Sequence, residues 1–399
     1  MSRFQPFMSP APAPRRLPLA GFYFLYFASV GIILPFLPAY FRSLSLSATQ
    51  VGVLLGLSPA ISLLAPHLWG HLADRTGRAA RVLTGLTLGA ALAFGWVSTA
   101  RTFPALMATM ALYACFASSF TPLMDTLTLH HVARTGDTFA RVRLFGSVGF
   151  ITSTVLFGLF ASGVDQTVVR VPLVLLSALV PWSLLLKDST APDRRLHPLA
   201  GLRLLRHPDM RWLLAGTSLH WLACAPFHGT FSIHVMELGL TPTVVGLVAG
   251  LGVLAEVGVM AFYPRLTGSW TPRQVLAFAF AASAVRWGGM ALTSTAWGLV
   301  GLAPLHGLTF GAFYVASVAF LSRRVPPELR ASGQALFAAV TFGFGGLVGY
   351  VSSGAGYDWL GGHRLFAVAG VLELVAALLV LRAVAAPAEA RGLCAGASG

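Results

Sequence analysis

Long apolar runs follow one another along almost the whole of this chain, and charge is nearly absent from them. Of 399 residues, 56% are hydrophobic and only 10% are charged. A soluble domain carries about 25% charged residues to cover its water-facing surface. The deficit excludes most soluble folds, and the apolar excess excludes disorder. A membrane-crossing helix needs about 20 apolar residues. Twelve of them would use about 240 residues, roughly the hydrophobic share of the chain. The chain therefore reads as an all-α membrane protein that crosses the bilayer many times.

Turn and charge signals place spans near residues 19–41, 49–72, 82–100, 104–129, 143–163 and 171–187. A second set lies near 210–235, 243–264, 274–293, 297–321, 334–356 and 364–384. Between the sets, 188–209 is polar and holds Asp188, Asp193, Arg194, Arg195, Arg203 and Arg206. The expected organisation is a tail (1–18), a six-helix bundle (19–187), a linker (188–209), a second six-helix bundle (210–384) and a C-terminal tail (385–399). No cleavable signal peptide is expected, because no small-residue cleavage site follows a short apolar core.

The basic surplus has a topological reading. The chain has 27 Lys and Arg against 13 Asp and Glu. With the N-terminus inside, the outer loops hold only Arg42, Arg101, Arg170 and Arg364. The inner loops hold far more, from Arg75, Arg78 and Arg81 through Arg134 to Arg323, Arg324 and Arg330. Basic residues collect in cytoplasmic loops, so both termini are expected in the cytoplasm and the protein in a bacterial inner membrane. No stretch between spans is large enough for a nucleic-acid module, so no nucleic-acid partner is expected. Cys115, Cys224 and Cys394 match no metal or disulfide pattern. No metal and no cofactor are expected, and no catalytic cluster of a membrane enzyme is visible. Two halves joined by a linker suit a duplicated transporter with a site between the halves. Its expected partners are a small-molecule substrate and the lipid bilayer, with the protein a monomer.

Ionisable residues at membrane depth point to function. Asp125, Arg143, Glu256, Arg286 and Glu373 fall inside spans, as do His220, His228 and His306. Asp125 and Arg143 lie on consecutive spans joined by a short loop and are expected to face each other across a cavity. An Arg fork binds a carboxylate or a sugar hydroxyl pair. Glu256 and His306 are candidate proton carriers. His220 reads more readily as a packing histidine, and Glu373 as structural. The span-one aromatics Phe22, Tyr23, Phe24, Tyr26 and Phe27 could form a lipid-facing belt or line the path of an aromatic acid.

The loop between spans two and three reads Gly70-His71-Leu72-Ala73-Asp74-Arg75-Thr76-Gly77-Arg78. It resembles the G-x-x-x-D-R-x-G-R loop of the major facilitator superfamily, in the correct place. The symmetry-related segment, Pro264-Arg265-Leu266-Thr267-Gly268, is degenerate. The resemblance implies two pseudo-symmetric six-helix bundles and alternating access. It makes Gly70, Asp74, Arg75, Gly77 and Arg78 a conformational clasp, with Gly70 at a close helix approach.

Pro122-Leu123-Met124-Asp125 and the segment from Arg141 through Arg143, Gly146 and Gly149 to Phe150 resemble the lactose permease branch. That likeness implies substrate binding by Asp125 and Arg143, with Phe150 stacking on the substrate. It also matches Glu256, Arg286 and His306 to the branch's proton-coupling machinery, with a proton as coupling ion. Three positions depart from the branch. Thr309 stands at its span-ten carboxylate, Ala303 at its Lys, and His228 at an acidic span-seven position, which makes His228 a candidate substrate contact. The stretch from Gly21 through Tyr23 and Tyr26 to Pro38 is more similar to the 3-phenylpropionate permease group, as is Gly311-Ala312-Phe313-Tyr314. Exchangers of the superfamily carry a Gly-Pro motif in span five. Here Gly149 to Gly158 has no Pro, which favours symport. The expectation is proton-coupled uptake of an aromatic or other carboxylate. The alternatives are a proton-coupled sugar or nucleoside symporter, or an exporter of drugs or metabolites.

Overall fold

The computed structural model describes residues 16–188 and 200–383. Cys394, most of both tails and the centre of the linker (189–199) lie outside the described residues. The described chain is helical and forms twelve crossings. In the first half they are α1 Leu17–Ser43, α2 Ala48–Thr76, α3 Ala79–Thr99, α4 Phe103–Thr135, α5 Phe139–Phe160 and α6 Thr167–Ser183. In the second half α7 runs Pro208–Gly229 and continues as Phe231–Glu237. The last five are α8 Pro242–Thr267, α9 Pro272–Leu292, α10 Ala296–Arg324, α11 Arg330–Leu360 and α12 Gly362–Arg382. Helices α2, α4, α10 and α11 run several residues beyond the predicted spans at the end nearer the 188–209 stretch.

Local chemistry sets the ends. Pro stands in the first turn of α1, α7, α8 and α9, where its missing N–H costs nothing. Ser47 with Gln50 and Thr271 with Gln274 form capping boxes at α2 and α9. Gly77 and Gly136 stop α2 and α4 at φ 63° and 72°, a conformation that favours glycine. Large apolar side chains cover the outside, among them Leu92, Phe160, Leu292 and Leu374. That surface suits lipid and not water. Trp297 and Trp359 stand exposed near helix ends, as interfacial tryptophans do.

One face of the bundle carries the ends of α1, α6, α7, α9 and α12. There Trp182 Nε1 donates to the Pro18 carbonyl at 3.0 Å, and Arg273 donates to the Leu381 carbonyl at 3.3 Å. This is the terminal face. At the opposite, far face the halves are locked together. Arg42 pairs with Glu237 at 3.2 Å. The Asp358 carboxylate caps the start of α2, accepting from the Ala48 and Thr49 amides at 3.0 and 2.8 Å. Thr243 donates to the Gly158 carbonyl at 2.9 Å.

Two glycine crossings make that closure possible. A Cβ on Gly354 would strike the Ala48 carbonyl, and one on Gly158 would lie 2.9 Å from Gly246 Cα. So α2 meets α11, and α5 meets α8, backbone to backbone. Gly246→Leu is expected to prevent the second crossing, because its side chain would meet the Thr154 carbonyl. Spin labels on loops 44–47 and 238–241, in a chain whose native cysteines are serine, should report a longer distance in this variant. An unchanged distance would contradict the crossing.

Toward the terminal face the halves part. A cavity of about 580 Å³ opens there between α2 and α11, lined by Ser58, His67, Ala335 and Ala338, all exposed. Helix α2 bends at Leu63–Leu64, where the Pro66 ring deprives the helix of a hydrogen bond. Helix α7 breaks at Thr230, four residues after Pro226, whose carbonyl accepts from the Thr230 hydroxyl at 2.9 Å.

Candidate functional site

At the centre, between the halves, lies a cavity of about 310 Å³. It adjoins the larger opening through the shared side chains of Val30, Leu34 and Trp221. Six aromatic side chains line it: Phe27, Phe150, Trp221, Phe227, Phe231 and Phe310. The ionisable lining groups are Arg143, His228, Glu256 and His306. A mostly apolar cavity with a few convergent polar groups is the usual form of a small-molecule site.

Arg143 is placed by a tight crossing of α1 and α5. A Cβ on Gly149 would strike the Phe24 carbonyl, and one on Gly146 would lie 2.9 Å from the Phe27 ring. Only small residues allow this approach. The Arg143 guanidinium then lies 4.1 Å from the Phe27 ring centroid and 5.3 Å from that of Tyr23. Among the described residues Arg143 has no ion pair, so its N–H groups are held by rings and open to an anion.

Asp125 does not face Arg143 across the cavity. It lies off the lining and accepts a 2.6 Å hydrogen bond from the Tyr23 hydroxyl, which in turn accepts from Thr128 at 3.3 Å. Tyr23, buried in the first half, meets both groups, its hydroxyl bonding Asp125 and its ring lying beside the Arg143 guanidinium. Phe22 and Tyr23 are buried and so are not a lipid belt, while Phe27 lines the cavity. Tyr26 packs on Phe27 and Phe120 and faces the larger opening. Tyr23→Phe leaves a part-buried carboxylate short of a donor, a loss of about 1–3 kcal/mol. Thermal unfolding of the purified variant should show the lower midpoint.

Glu256 and His306 are brought together where α8 crosses α10. A Cβ on Gly252 would lie 3.1 Å from His306 Cβ, and one on Gly307 would lie 2.7 Å from the Ala255 carbonyl. A π turn over Gly307–Ala312 widens α10 at this point. Arg286 Nη1 lies 3.0 Å from His306 Nδ1. A guanidinium can only donate, so Nδ1 accepts and the ring proton sits on Nε2. His306 Nε2 is 3.7 Å from the Glu256 carboxylate. The three groups thus run from the cavity wall inward as Glu256, His306, Arg286.

Arg286 itself does not reach the cavity. Its side chain is fully buried, 4.2 Å from the Phe227 ring centroid and 4.5 Å from that of Trp287. Among the described residues its Nε and Nη2 have no hydrogen-bond partner. Phe150 and His228 both line the cavity, and His228 also borders the space around Arg286.

In the segment expected to act as a clasp, the side chains of Asp74, Arg75 and Arg78 make no ion pair or hydrogen bond among the described residues. Gly70 has open space where a Cβ would sit, so the expected close helix approach is absent. The physical reason is the parting of the halves on this face. Arg81, three residues on, pairs with Asp188 at 3.8 Å, and Asp188 also accepts from the Ala80 amide at 2.7 Å.

Trp221, Phe227, Phe231 and Phe310 line the cavity without standing out in the sequence. Nothing in the sequence joins His220 and Glu373 either. The two meet at 2.7 Å in the core of the second half. Their spacing, 153 residues, holds no local signal, and only their membrane depth marks them.

Residues 17–368 match the MFS_1 like family. The chain is 30% identical over 368 residues to the probable 3-phenylpropionic acid transporter of Escherichia coli (strain K12), covering 90% of this chain and 96% of that one. It is 27% identical over 345 residues to the maltose permease of Geobacillus stearothermophilus, covering 84% and 85%. The crystal structure of the nucleoside transporter NupG superposes with a TM-score of 0.84 at 18% identity, over 92% of this chain and 98% of that one. The match over nearly the whole described chain places this protein in the MFS_1 like family of the major facilitator superfamily: it is a multi-pass membrane transporter and not an enzyme.

Proposed function

We propose that the protein takes up a small carboxylate, with an aromatic acid favoured, together with a proton. The terminal face is cytoplasmic in this reading, because the basic loops lie there. The structure then corresponds to an inward-open state in a bacterial inner membrane. The observation that carries the substrate class is the cavity itself. It presents six aromatic side chains and one unpaired guanidinium, Arg143. Rings favour an apolar, planar body, and the Arg fork favours a carboxylate. A sugar or nucleoside would ask for many hydroxyl partners, and the cavity offers few.

The cycle follows from the charges. Glu256 takes a proton while the cavity faces outward. The carboxylate of the substrate binds Arg143, and the halves rock about the site. Both passengers leave at the terminal face. The far-face contacts (Arg42 with Glu237, Asp358 with the start of α2) hold the closed outer gate. In the outward-open state they part, and the clasp of Asp74, Arg75 and Arg78 engages on the other side.

Uptake into proteoliposomes tests this reading. Labelled 3-phenylpropionate should accumulate when the lumen is made alkaline, and maltose and uridine should not. Accumulation unaffected by collapse of the pH gradient would overturn proton coupling. Uptake of maltose or uridine alone would overturn the substrate class.

A further inference from the structure

Behind the cavity wall, the core of the second half holds a second set of ionisable groups that the cycle above does not use. His220 on α7 and Glu373 on α12 are both fully buried, with Nδ1 and Oε2 2.7 Å apart. The other ring nitrogen, Nε2, lies 3.0 Å from the Thr309 carbonyl. Trp287 Nε1 donates to Glu373 Oε1 at 3.0 Å. The His220 ring stacks on Phe280, 4.2 Å between centroids.

These contacts fix a proton count. A carbonyl oxygen only accepts, so His220 Nε2 carries a hydrogen. A 2.7 Å contact between Nδ1 and Oε2 needs one more, on either the nitrogen or the oxygen. Either way the pair is neutral and holds one exchangeable proton. Removing it would set a lone pair against a buried carboxylate, with no water to compensate.

A metal does not fit the same groups. His220, Cys224 and Glu373 offer atoms within 4.8 Å of one another. Tetrahedral ligands at about 2.0–2.2 Å from an ion stand roughly 3.3 Å apart. The 2.7 Å approach is a hydrogen bond. The space beside Cys224 also has no room for a water-sized sphere.

A cation stands ready to compensate for loss of the proton. Arg286 borders the same small space as Cys224 and Thr309. Cys224 Sγ is in turn 3.8 Å from Glu373 Oε1. Among the described residues two nitrogens of Arg286, Nε and Nη2, lack acceptors, and its one hydrogen bond goes to His306.

We propose that His220 and Glu373 form a proton-binding site, exchanging its proton with the cavity through a swing of Arg286. In the structure described, the pair is neutral, Arg286 donates to His306, and His306 is neutral beside Glu256. When the proton leaves the pair, Glu373 is left with an unbalanced negative charge. Arg286 turns its free N–H groups to it and vacates His306 Nδ1. That nitrogen takes the proton, and the resulting imidazolium faces the Glu256 carboxylate. One proton moves, one guanidinium moves, and the total charge is unchanged. The titratable and charged groups around the pair are Cys224 and His228 on α7, Glu256 on α8, Arg286 on α9 and His306 on α10.

The role in transport rests on the proton-coupled reading, but the site is testable without it. Infrared difference spectra between acid and alkaline pH are recorded on the full chain in lipid bilayers, with no substrate. The wild-type spectrum should contain a carboxyl contribution that is lost in Glu373→Gln and shifted in His220→Gln. A Glu373→Gln spectrum identical to wild type would overturn the proposal. Should Glu373→Gln not fold, Glu373→Asp keeps a carboxyl group and lengthens the contact. Its contribution should move, and an unmoved one overturns the site. A titrating pair in a protein that shows no proton-driven uptake would support the site and remove the symport reading.

Discussion

Replacing Arg143 with Gln is expected to lower the affinity for 3-phenylpropionate by at least about thirtyfold. Removing one partner of a desolvated charge pair costs about 2 kcal/mol or more. Arg143 is the one guanidinium lining the cavity. Its rings position it without neutralising it. Arg143→Lys is expected to rescue little. A lysine cannot stack on Phe27 or present a planar fork. Thermal stabilisation of the purified variants by increasing 3-phenylpropionate reads both affinities. Unchanged affinity in Arg143→Gln would remove Arg143 from the substrate site.

Glu256→Gln is expected to abolish accumulation driven by a pH gradient while leaving substrate exchange intact. Gln matches Glu in shape but has no carboxyl group to take up and release a proton. The carrier would then shuttle with substrate bound, as in the neutral state of wild type. Counterflow of labelled against unlabelled 3-phenylpropionate should continue at a rate near wild type. Net uptake should stop at equal concentrations inside and out. Because Glu256 lies only 3.7 Å from His306, His306→Gln should weaken coupling without eliminating the carboxyl group. A Glu256→Gln protein that still accumulates substrate against its gradient would move the coupling proton elsewhere.

Much of the fold is legible in the residue string, because lipid imposes strict rules on it. Charge must stay out of the spans and basic residues gather on one side, so the crossings and the two halves stand out. Glycines predict close helix approaches only in part. Gly146, Gly149 and Gly252 sit at such contacts, whereas Gly70 faces open space in this conformation. A motif read from sequence belongs to every state of a transporter, and a structure shows one of them.

The site is less legible, for a related reason. Arg143, Glu256 and His306 stand out because ionisable residues at membrane depth are costly. Which partner each one meets is set by helix rotation, which composition does not encode. Asp125 is taken by Tyr23, and Arg286 turns inward behind Phe227. Trp221, Phe227 and Phe310 could not be told from the lipid-facing aromatics among 28 phenylalanines and 9 tryptophans. His220 and Glu373 read as packing residues in sequence, because only the folded core brings them within 2.7 Å.

Coupled movement of carboxylate and proton through Arg143 and Glu256 is most directly tested by the proton itself. Proteoliposomes are prepared without any pH gradient in lightly buffered medium, and 3-phenylpropionate is added outside. The external medium should turn alkaline as protons enter with the substrate, and neither Arg143→Gln nor Glu256→Gln should show the change. Entry of 3-phenylpropionate with no movement of external pH would contradict the account.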